Sequence, residues 1–420
     1  MKRYVYSLIA VTAVATAQPA VDANTTAQMH TDAPRSVRDI LAEETPIERL
    51  RAQWRTGFIT LNQTDTPTLN GYATGGHLHL DTKRYGGIKA GISLYAVADM
   101  GFNQNDTHKN PDFFDANGEG FVTLSEAYLD GKWETLNVVA GRQRIDTPHA
   151  DSDDIRMMPN MFEAYRIIST AMPRTALEAG YIRKMAGWEN GMDAASFERI
   201  DRVLGASQKT DGVAYLSATF EQGENLTLSL WGYRFFDIAD IYYAEAGYNL
   251  IFSDGKHLVL GLQADYSDES GKALLGRQAA RTWGVSAEYV DETVGWHVLA
   301  AYNRDNGATG ATSLNLGGGA LFTSMEDQTL DAMGTRGDAV MAAAGYHFDM
   351  SGIGGLDGGV AYARFKADDG SYDATEVDIA CSYALSDVLS VDAVYADTSF
   401  SDTIHTDYDM FRLIVRYDFK

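Results

Sequence analysis

A single cysteine, Cys381, stands in 420 residues. One thiol excludes an internal disulfide framework and a cysteine-based zinc site. At strand parity it shares a face with Val377, Ile379 and Tyr383 and reads as a small buried hydrophobe. Proline is scarce, with 8 residues. All fall outside the strands proposed below, as a chain must arrange when every ladder N–H needs a partner. No apolar run approaches about 18 residues, which excludes a transmembrane helix. Basic residues are outnumbered, Lys plus Arg 34 against Asp plus Glu 58, for a net charge of −24. Such a chain releases few counterions from phosphates, so nucleic acid is not an expected partner, nor is adhesion to an anionic surface. The GxSxG elbow, the P-loop and HExxH are missing too. The histidines His30, His108, His149, His257, His297, His347 and His405 are scattered without a nucleophile motif. An outer-membrane hydrolase is therefore a distant alternative, and no cofactor is expected.

What is present is alternation. From Phe411, every second residue is large and apolar: Phe411, Leu413, Val415, Tyr417 and Phe419. Arg412, Ile414, Arg416 and Asp418 lie between them. Successive strand side chains point to opposite faces, so one face is greasy and the other mostly charged. From Trp54 onward about eighteen short segments repeat the pattern, among them Leu258–Tyr266, Trp283–Tyr289, Trp296–Tyr302, Val377–Tyr383 and Leu389–Tyr395. The others fall near 54–62, 72–82, 88–98, 125–133, 136–144, 163–168, 176–184, 213–220, 225–235, 241–249, 339–348 and 356–365. Short linkers such as Gln222–Glu224 and Asp291–Thr293 mostly alternate with long ones at 99–124, 145–162, 185–212, 267–281 and 305–338. Tyr248, Tyr289, Tyr346, Tyr383 and Tyr417 close strands running one way. Tyr266, Tyr302, Tyr362 and Tyr395 close strands running the other. Two aromatic belts follow.

The fold class expected is all-β: a transmembrane antiparallel β-barrel of about 18 strands, with short periplasmic turns and long outer loops. Open edges in hydrocarbon would leave N–H and C=O groups unpaired at several kcal/mol each, so the sheet must close. At this strand number the interior is too wide for side chains to fill, and a water channel remains. By parity the wall carries Asp81, Glu126, Asp130, Asp265, Glu288, Glu376, Asp378 and Asp392, which predicts mild cation preference.

Three domains are expected. Lys2, Arg3, the short apolar run to Ala15 and the Ala15-Thr16-Ala17 site mark residues 1–17 as a signal peptide. Residues 18–51 form an N-terminal periplasmic segment with a capped helical turn from Ser36 to about Glu44. Residues 52–420 form the barrel. The location is the outer membrane of a bacterium.

The most distinctive stretch runs from Gly141 to Phe162. It is dense in charge of both signs and also holds Ile155, Met157, Met158 and Phe162. A loop that waves in solvent needs no such apolar cluster, so this third outer loop, about 145–162, is expected to fold inward onto the wall. The Gly141-Arg142-Gln143 strand end, the Asp-rich loop, the run Asp153-Asp154-Ile155-Arg156-Met157-Met158-Pro159 and the following Phe162-Glu163-Ala164 resemble the OprD family of outer-membrane porins. The resemblance implies an 18-stranded barrel, monomeric or a loose trimer, for passive diffusion of small hydrophilic solutes such as amino acids, peptides or organic carboxylates. It also implies lumen arginines set opposite acidic loop groups at a constriction. Candidates are Arg142, Arg144, Asp153, Asp154, Arg156, Arg166 and Arg183. Arg412 and Arg416 join them by parity. The family analogy thus allows carboxylate passage where the acidic wall argues for cations. Outer-membrane lipid, lipopolysaccharide and the barrel-assembly machinery are the implied partners. The final residue is Lys420 where a terminal aromatic is usual, with Phe419 one place early. A structural or adhesive barrel with a closed pore is the alternative.

Two stretches carry metal-ligand spacing, and no metal is expected at either. Asp115, Asn117, Glu119 and Glu126 have the spacing of an EF-hand calcium loop with Gly120 at the sixth position, but Pro111 before it and a strand after it leave no flanking helices. His77, His79 and Asp81 share a lumen parity and read as solvated side chains.

Overall fold

The computed structural model describes residues 46–102, 108–191 and 193–419. The expected signal peptide, the helical turn expected from Ser36 to about Glu44 and the terminal Lys420 lie outside the described residues. Among the described residues nineteen strands are formed: β1 (Ile47–Gln63), β2 (Leu69–Thr82), β3 (Ile88–Asp99), β4 (Phe121–Trp133), β5 (Leu136–Gln143), β6 (Met161–Met172), β7 (Thr175–Ala186), β8 (Glu198–Arg199), β9 (Val213–Gln222), β10 (Leu226–Phe235), β11 (Ala239–Ser253), β12 (Lys256–Glu269), β13 (Arg281–Asp291), β14 (Trp296–Asp305), β15 (Gly337–His347), β16 (Leu356–Ala367), β17 (Asp373–Ser386), β18 (Leu389–Phe400) and β19 (Tyr408–Phe419). β8 is a two-residue addition on the end of β7, within an outer loop. The other eighteen pair antiparallel with their neighbours, and β1 closes the ring on β19 from Ala52↔Phe419 to Gln63↔Tyr408. Closure satisfies the backbone groups that lipid cannot.

Each alternating segment read from the sequence is a strand here. β1 begins at Ile47, ahead of the expected start at 52. The added residues pair with β2 alone, because β19 ends opposite Ala52. The segment 163–168 belongs to a longer strand, β6. The outer connections are not all long, since 236–238 and 368–372 are tight while the periplasmic turn at 348–355 holds a 3-10 turn.

Alternation sorts side chains as expected, and β-bulges adjust it locally. Opposite Ser93 and Leu94, β4 carries an extra residue, Ser125, whose hydroxyl donates to the Ser93 carbonyl. The bulge keeps Leu124 outward and turns Glu126 inward. The tyrosine belts face out with the apolar rows. Cys381 stands on that outward face and is half-buried rather than buried.

The lumen is less uniformly polar than alternation alone implies. Three apolar clusters lie inside the barrel, where outer loops pack on the upper wall. Ile145 and Ala150 pack with Phe162, Ile182, Phe235 and Leu316. Met157 and Met158 join Ile59, Tyr95, Phe113 and Met410. Leu330 and Met333 join Met341, Phe365 and Ala363. Apolar residues at inward parity on the upper half of a strand thus mark the wall beneath a folded loop.

A clasp of arginines and loop carboxylates

The third outer loop folds inward, and its buried methionines and Ile145 hold it there. A second long loop, 306–336, does the same and meets it. Ala150 and Leu316 form a parallel bridge, with Asp151 N donating to Leu316 O at 3.2 Å and Leu316 N to His149 O at 3.1 Å. The second loop is tied to the wall through its backbone. Glu326 N donates to Asp378 Oδ2 at 3.0 Å, and Asp327 N and Gln328 N donate to the two carboxylate oxygens of Glu376 at 2.9 and 2.7 Å. Two residues of the acidic wall are therefore used as anchors. The rest are partnered as well: Asp81 with His79 and Lys89, Glu126 with His79, Asp130 with Arg84, Asp265 with His149, Glu288 with His297, and Asp392 with Arg416.

Asp154 is the hinge pin of the first loop. Arg55, inward on β1 and 1% exposed, donates from Nη1 to Asp154 Oδ1 at 2.7 Å and to the Arg156 carbonyl at 2.5 Å. Gln53 Oε1 holds the other edge of the Arg55 guanidinium at 2.8 Å. Arg144 reaches Asp154 Oδ2 at 3.3 Å and donates to Tyr95 Oη at 2.7 Å. Arg416 donates to the Asp154 carbonyl at 3.2 Å and pairs with Asp392. A second clasp is centred on Glu326, which pairs with Arg412 and, at 3.5 Å, with Arg156. The Arg156 guanidinium also lies 4.3 Å from the centroid of the Trp188 ring and 3.3 Å from Asp112. Arg55, Arg144, Arg416, Arg412 and Arg156 thus form one row along the β1–β19 side, closed against two loop carboxylates.

The electrostatics follow from this arrangement. Burial works against ionising Asp154, but the charges of Arg55 and Arg144 outweigh it and hold the carboxyl far below the usual range. Glu326 is held down in the same way by Arg412 and Arg156. Loop acids without such partners go the other way. Burial, then the charge of Glu189, pushes Asp153 up to about 8. Burial and Asp146 push Asp151 up to about 7, and burial and Glu326 push Asp327 up to about 7. Asp153 also adopts φ 32°, a left-handed conformation that turns the chain so that Asp154 meets the arginines.

On the far side of the loop lies a cavity of about 320 Å³ lined by Asp146, Asp151, Glu245, Trp231 and Tyr243, with no basic residue. Tyr243 Oη donates to Glu245 at 2.5 Å. This acidic lining contrasts with the arginines gathered about Asp154 and Glu326.

Of the residues expected at a constriction, Arg144, Asp154, Arg156, Arg412 and Arg416 are brought together, with Asp153 beside them. Arg166 lies inward but farther along the wall, paired with Glu178 at 2.6 Å. Arg142 and Arg183 are not brought into that group. Arg142 shares the outward parity of Ala140 and Val138, donates to the Leu124 carbonyl at 2.7 Å and lies under the Phe197 ring. Arg183 is the extra residue of a bulge opposite Glu163 and Ala164 and pairs outward with Glu163 at 3.6 Å. The calcium candidates do not converge. Asp115 Oδ1 accepts the amides of Asn117 and Glu119 at 2.9 and 2.8 Å, and Glu126 sits on β4 against His79. Among the described residues, no group of three or more His, Cys, Asp or Glu is placed to hold a metal ion. Sequence reasoning missed Arg55, although Trp54 and Phe58 on the opposite parity mark it as inward. It also missed Glu326, which sits in a loop with no periodic signal.

Comparison with known proteins agrees with this architecture. The sequence pattern of the OprD family of outer membrane porins matches residues 102–420. Porin D of Pseudomonas aeruginosa is 23% identical over 331 residues, covering 76% of this chain and 70% of its own. The crystal structure of Pseudomonas aeruginosa OpdK with vanillate superposes with a TM-score of 0.75 at 18% identity, over 89% of this chain and 99% of that one. Acinetobacter baumannii OccAB3 gives 0.74 at 15% identity, over 88% and 98%. This chain, a closed barrel whose inward loops meet a row of lumen arginines, belongs to the OprD family of outer-membrane porins.

Proposed function

We propose that this bacterial outer-membrane channel selects small solutes bearing a carboxylate, either organic acids or amino acids, and that the arginine row is its selecting element. The observation that carries this reading is the Asp154 clasp. One loop carboxylate is shared by Arg55 and Arg144, with Arg416 on its backbone carbonyl. A solute carboxylate offers the same two oxygens, so it can exchange with Asp154 or Glu326 and pass along the arginines without leaving any of them bare. Arginine suits this task because its planar fork is always charged and matches a carboxylate. The acidic, aromatic cavity across the loop suits the ammonium end of a zwitterion. OpdK, a fold relative, has been crystallised with vanillate, itself an aromatic carboxylate.

Passage is diffusive, and no catalysis is assigned to the chain. Arg142 and Arg183 are left out of the selecting row by their outward placement. Residues 1–17 act as the signal peptide and the following segment stays in the periplasm. Assembly proceeds by the barrel-assembly machinery, and the barrel sits in lipid as a monomer or loose trimer.

The test is liposome swelling with solutes of matched size. An organic carboxylate or amino acid enters faster than a neutral sugar, and Arg412→Gln with Arg416→Gln removes the difference. Equal entry rates for all solutes in the native protein overturn the reading.

A further inference from the structure

The outward face carries a pattern that pore chemistry does not use. On nine of the ten strands from β10 to β19 the last outward residue at the outer end is charged, and on β18 the charged Asp397 lies one outward step before Ser399. At the top of the β10/β11 hairpin Arg234 lies directly opposite Asp240, bidentate at 2.8 and 2.9 Å. Arg281 meets Asp268 at 2.5 Å on β13 and β12. Arg304 is opposite Asp338 on β14 and β15 and also takes Asp368 at 2.7 Å. Arg364 holds Asp373 at 2.9 and 2.7 Å on β16 and β17. Asp397 and Asp409 face each other on β18 and β19, where Asn62 donates to Asp409 at 2.9 Å.

Parity fixes the direction of these side chains. Each lies two residues beyond an outward residue, in most cases an aromatic such as Tyr242, 56% exposed, or Tyr266, 43% exposed. The residues between, such as Ile241, Thr282 and Asn303, are buried at 0% on the lumen side. The charges therefore stand one step above the aromatic belt, at the level where hydrocarbon gives way to head groups. At the outer end of β4, by contrast, Val122 is outward and 73% exposed, so the charged arc does not extend there.

We propose that this arc is a seat for the phosphorylated head group of the outer-leaflet glycolipid, lipopolysaccharide. Arginines bind phosphate oxygens through the same fork they now offer to carboxylates, and the freed carboxylates share divalent cations with neighbouring phosphates. Asp397 and Asp409, like charges directly opposite one another, fit the cation-bridged role, since an unbridged pair at that spacing is destabilising. The seat rests on the outer-membrane location and not on the solute preference proposed above.

The probe is lipid A of defined phosphorylation, added with magnesium to detergent-solubilised full-length protein and followed by native mass spectrometry. Bis-phosphorylated lipid A is retained by the native protein. Retention falls at least about tenfold for lipid A lacking its phosphates and for the variant R234Q/R281Q/R304Q/R364Q. Where that variant fails to fold, R234Q/D240N removes one pair without leaving a bare charge and lowers retention by a smaller step. Phosphatidylglycerol serves as the second anionic lipid and is not retained. Equal retention of phosphorylated and dephosphorylated lipid A, equal retention of phosphatidylglycerol, or undiminished binding by folded variants overturns the proposal. Single-channel conductance, recorded in parallel, stays at the native value because the arc faces away from the lumen. Its loss would bear on the pore and not on the seat.

Discussion

Asp154→Asn removes the charge at the centre of the first clasp and nothing else of size. Arg55 keeps its burial at 1% exposure and loses its carboxylate, while Arg144 loses the same partner at 3.3 Å. Breaking a buried pair by removing one member costs roughly 3–5 kcal/mol. Asp154 retains 13% side-chain exposure, which points to the lower end, about 3 kcal/mol. At 1.4 kcal/mol per decade, the population of the released loop rises roughly a hundredfold. The eighteen-strand ladder is untouched, so the barrel itself stays folded. Two readouts follow. In planar bilayers under a salt gradient the reversal potential moves toward anions, because the constriction gains one positive charge. Limited trypsin cleavage after Arg144 and Arg156 accelerates, since Ile145 and Met157, at 0% and 1% exposure, emerge only when the loop lifts. Arg55→Gln combined with Asp154→Asn replaces charge–charge contact by amide–amide contact and recovers most of the native resistance. Native selectivity and native trypsin resistance in the single variant would refute the reasoning.

Other expectations concern the same loops. Asp151, Asp153 and Asp327 have raised pKa values in the packed loops, near 7 to 8, so the packed state binds more protons than the released state. Loop packing therefore weakens as pH rises from the ordinary carboxylate range through about 8, and the lumen gains negative charge. Channel recordings at pH 6 and pH 9 should show more cation preference and more gating noise at pH 9. Asp154 and Glu326 have lowered values, so their clasps hold above the ordinary carboxylate range and are lost only as pH falls well below it. Gly57→Leu places a side chain where a Cβ alone would lie 2.8 Å from the Phe113 ring and 3.0 Å from Met157 Sδ. Such overpacking costs about 1–3 kcal/mol, and faster trypsin cleavage of the third loop without loss of the folded barrel is the result to look for. Arg142→Gln and Arg183→Gln leave ion selectivity unchanged, and a shift in reversal potential for either would contradict their outward placement.

Much of the barrel was legible because alternation reports directly on which medium a strand face meets. The roughly eighteen strands and both aromatic belts came from that single period, and closure followed from the unpaired backbone groups that open edges would leave in lipid. Arg412 and Arg416 were placed by the same rule. The rule fails at bulges, where one inserted residue reverses or duplicates a facing, as at Arg183. At Arg142 alternation holds and gives an outward facing, whereas the family resemblance sets that residue among the lumen arginines. Loop residues have no period at all. The inward fold of the third loop could be read from Ile155, Met157 and Met158 inside a charged run. The second loop shows a comparable mixture only in pieces, Leu314, Leu316, Leu321 and Met325 among glycines, so Glu326 was invisible as the partner of Arg412. Long-range ion pairs of this kind depend on which loop crosses which wall, and sequence spacing carries no record of it. The apolar upper wall, with Ile59, Met341 and Phe365, is the trace that remains, since lumen residues facing water have no reason to be large and greasy.

The central claim is a water-filled lumen whose narrowest part is lined by arginines. Single-channel recording of the purified full-length protein in planar bilayers tests it most directly, with a small organic carboxylate added to one side. The account predicts discrete conductance steps that the carboxylate interrupts, an effect reduced in Arg412→Gln. A folded barrel that gives no steps, or steps indifferent to the carboxylate, would contradict it.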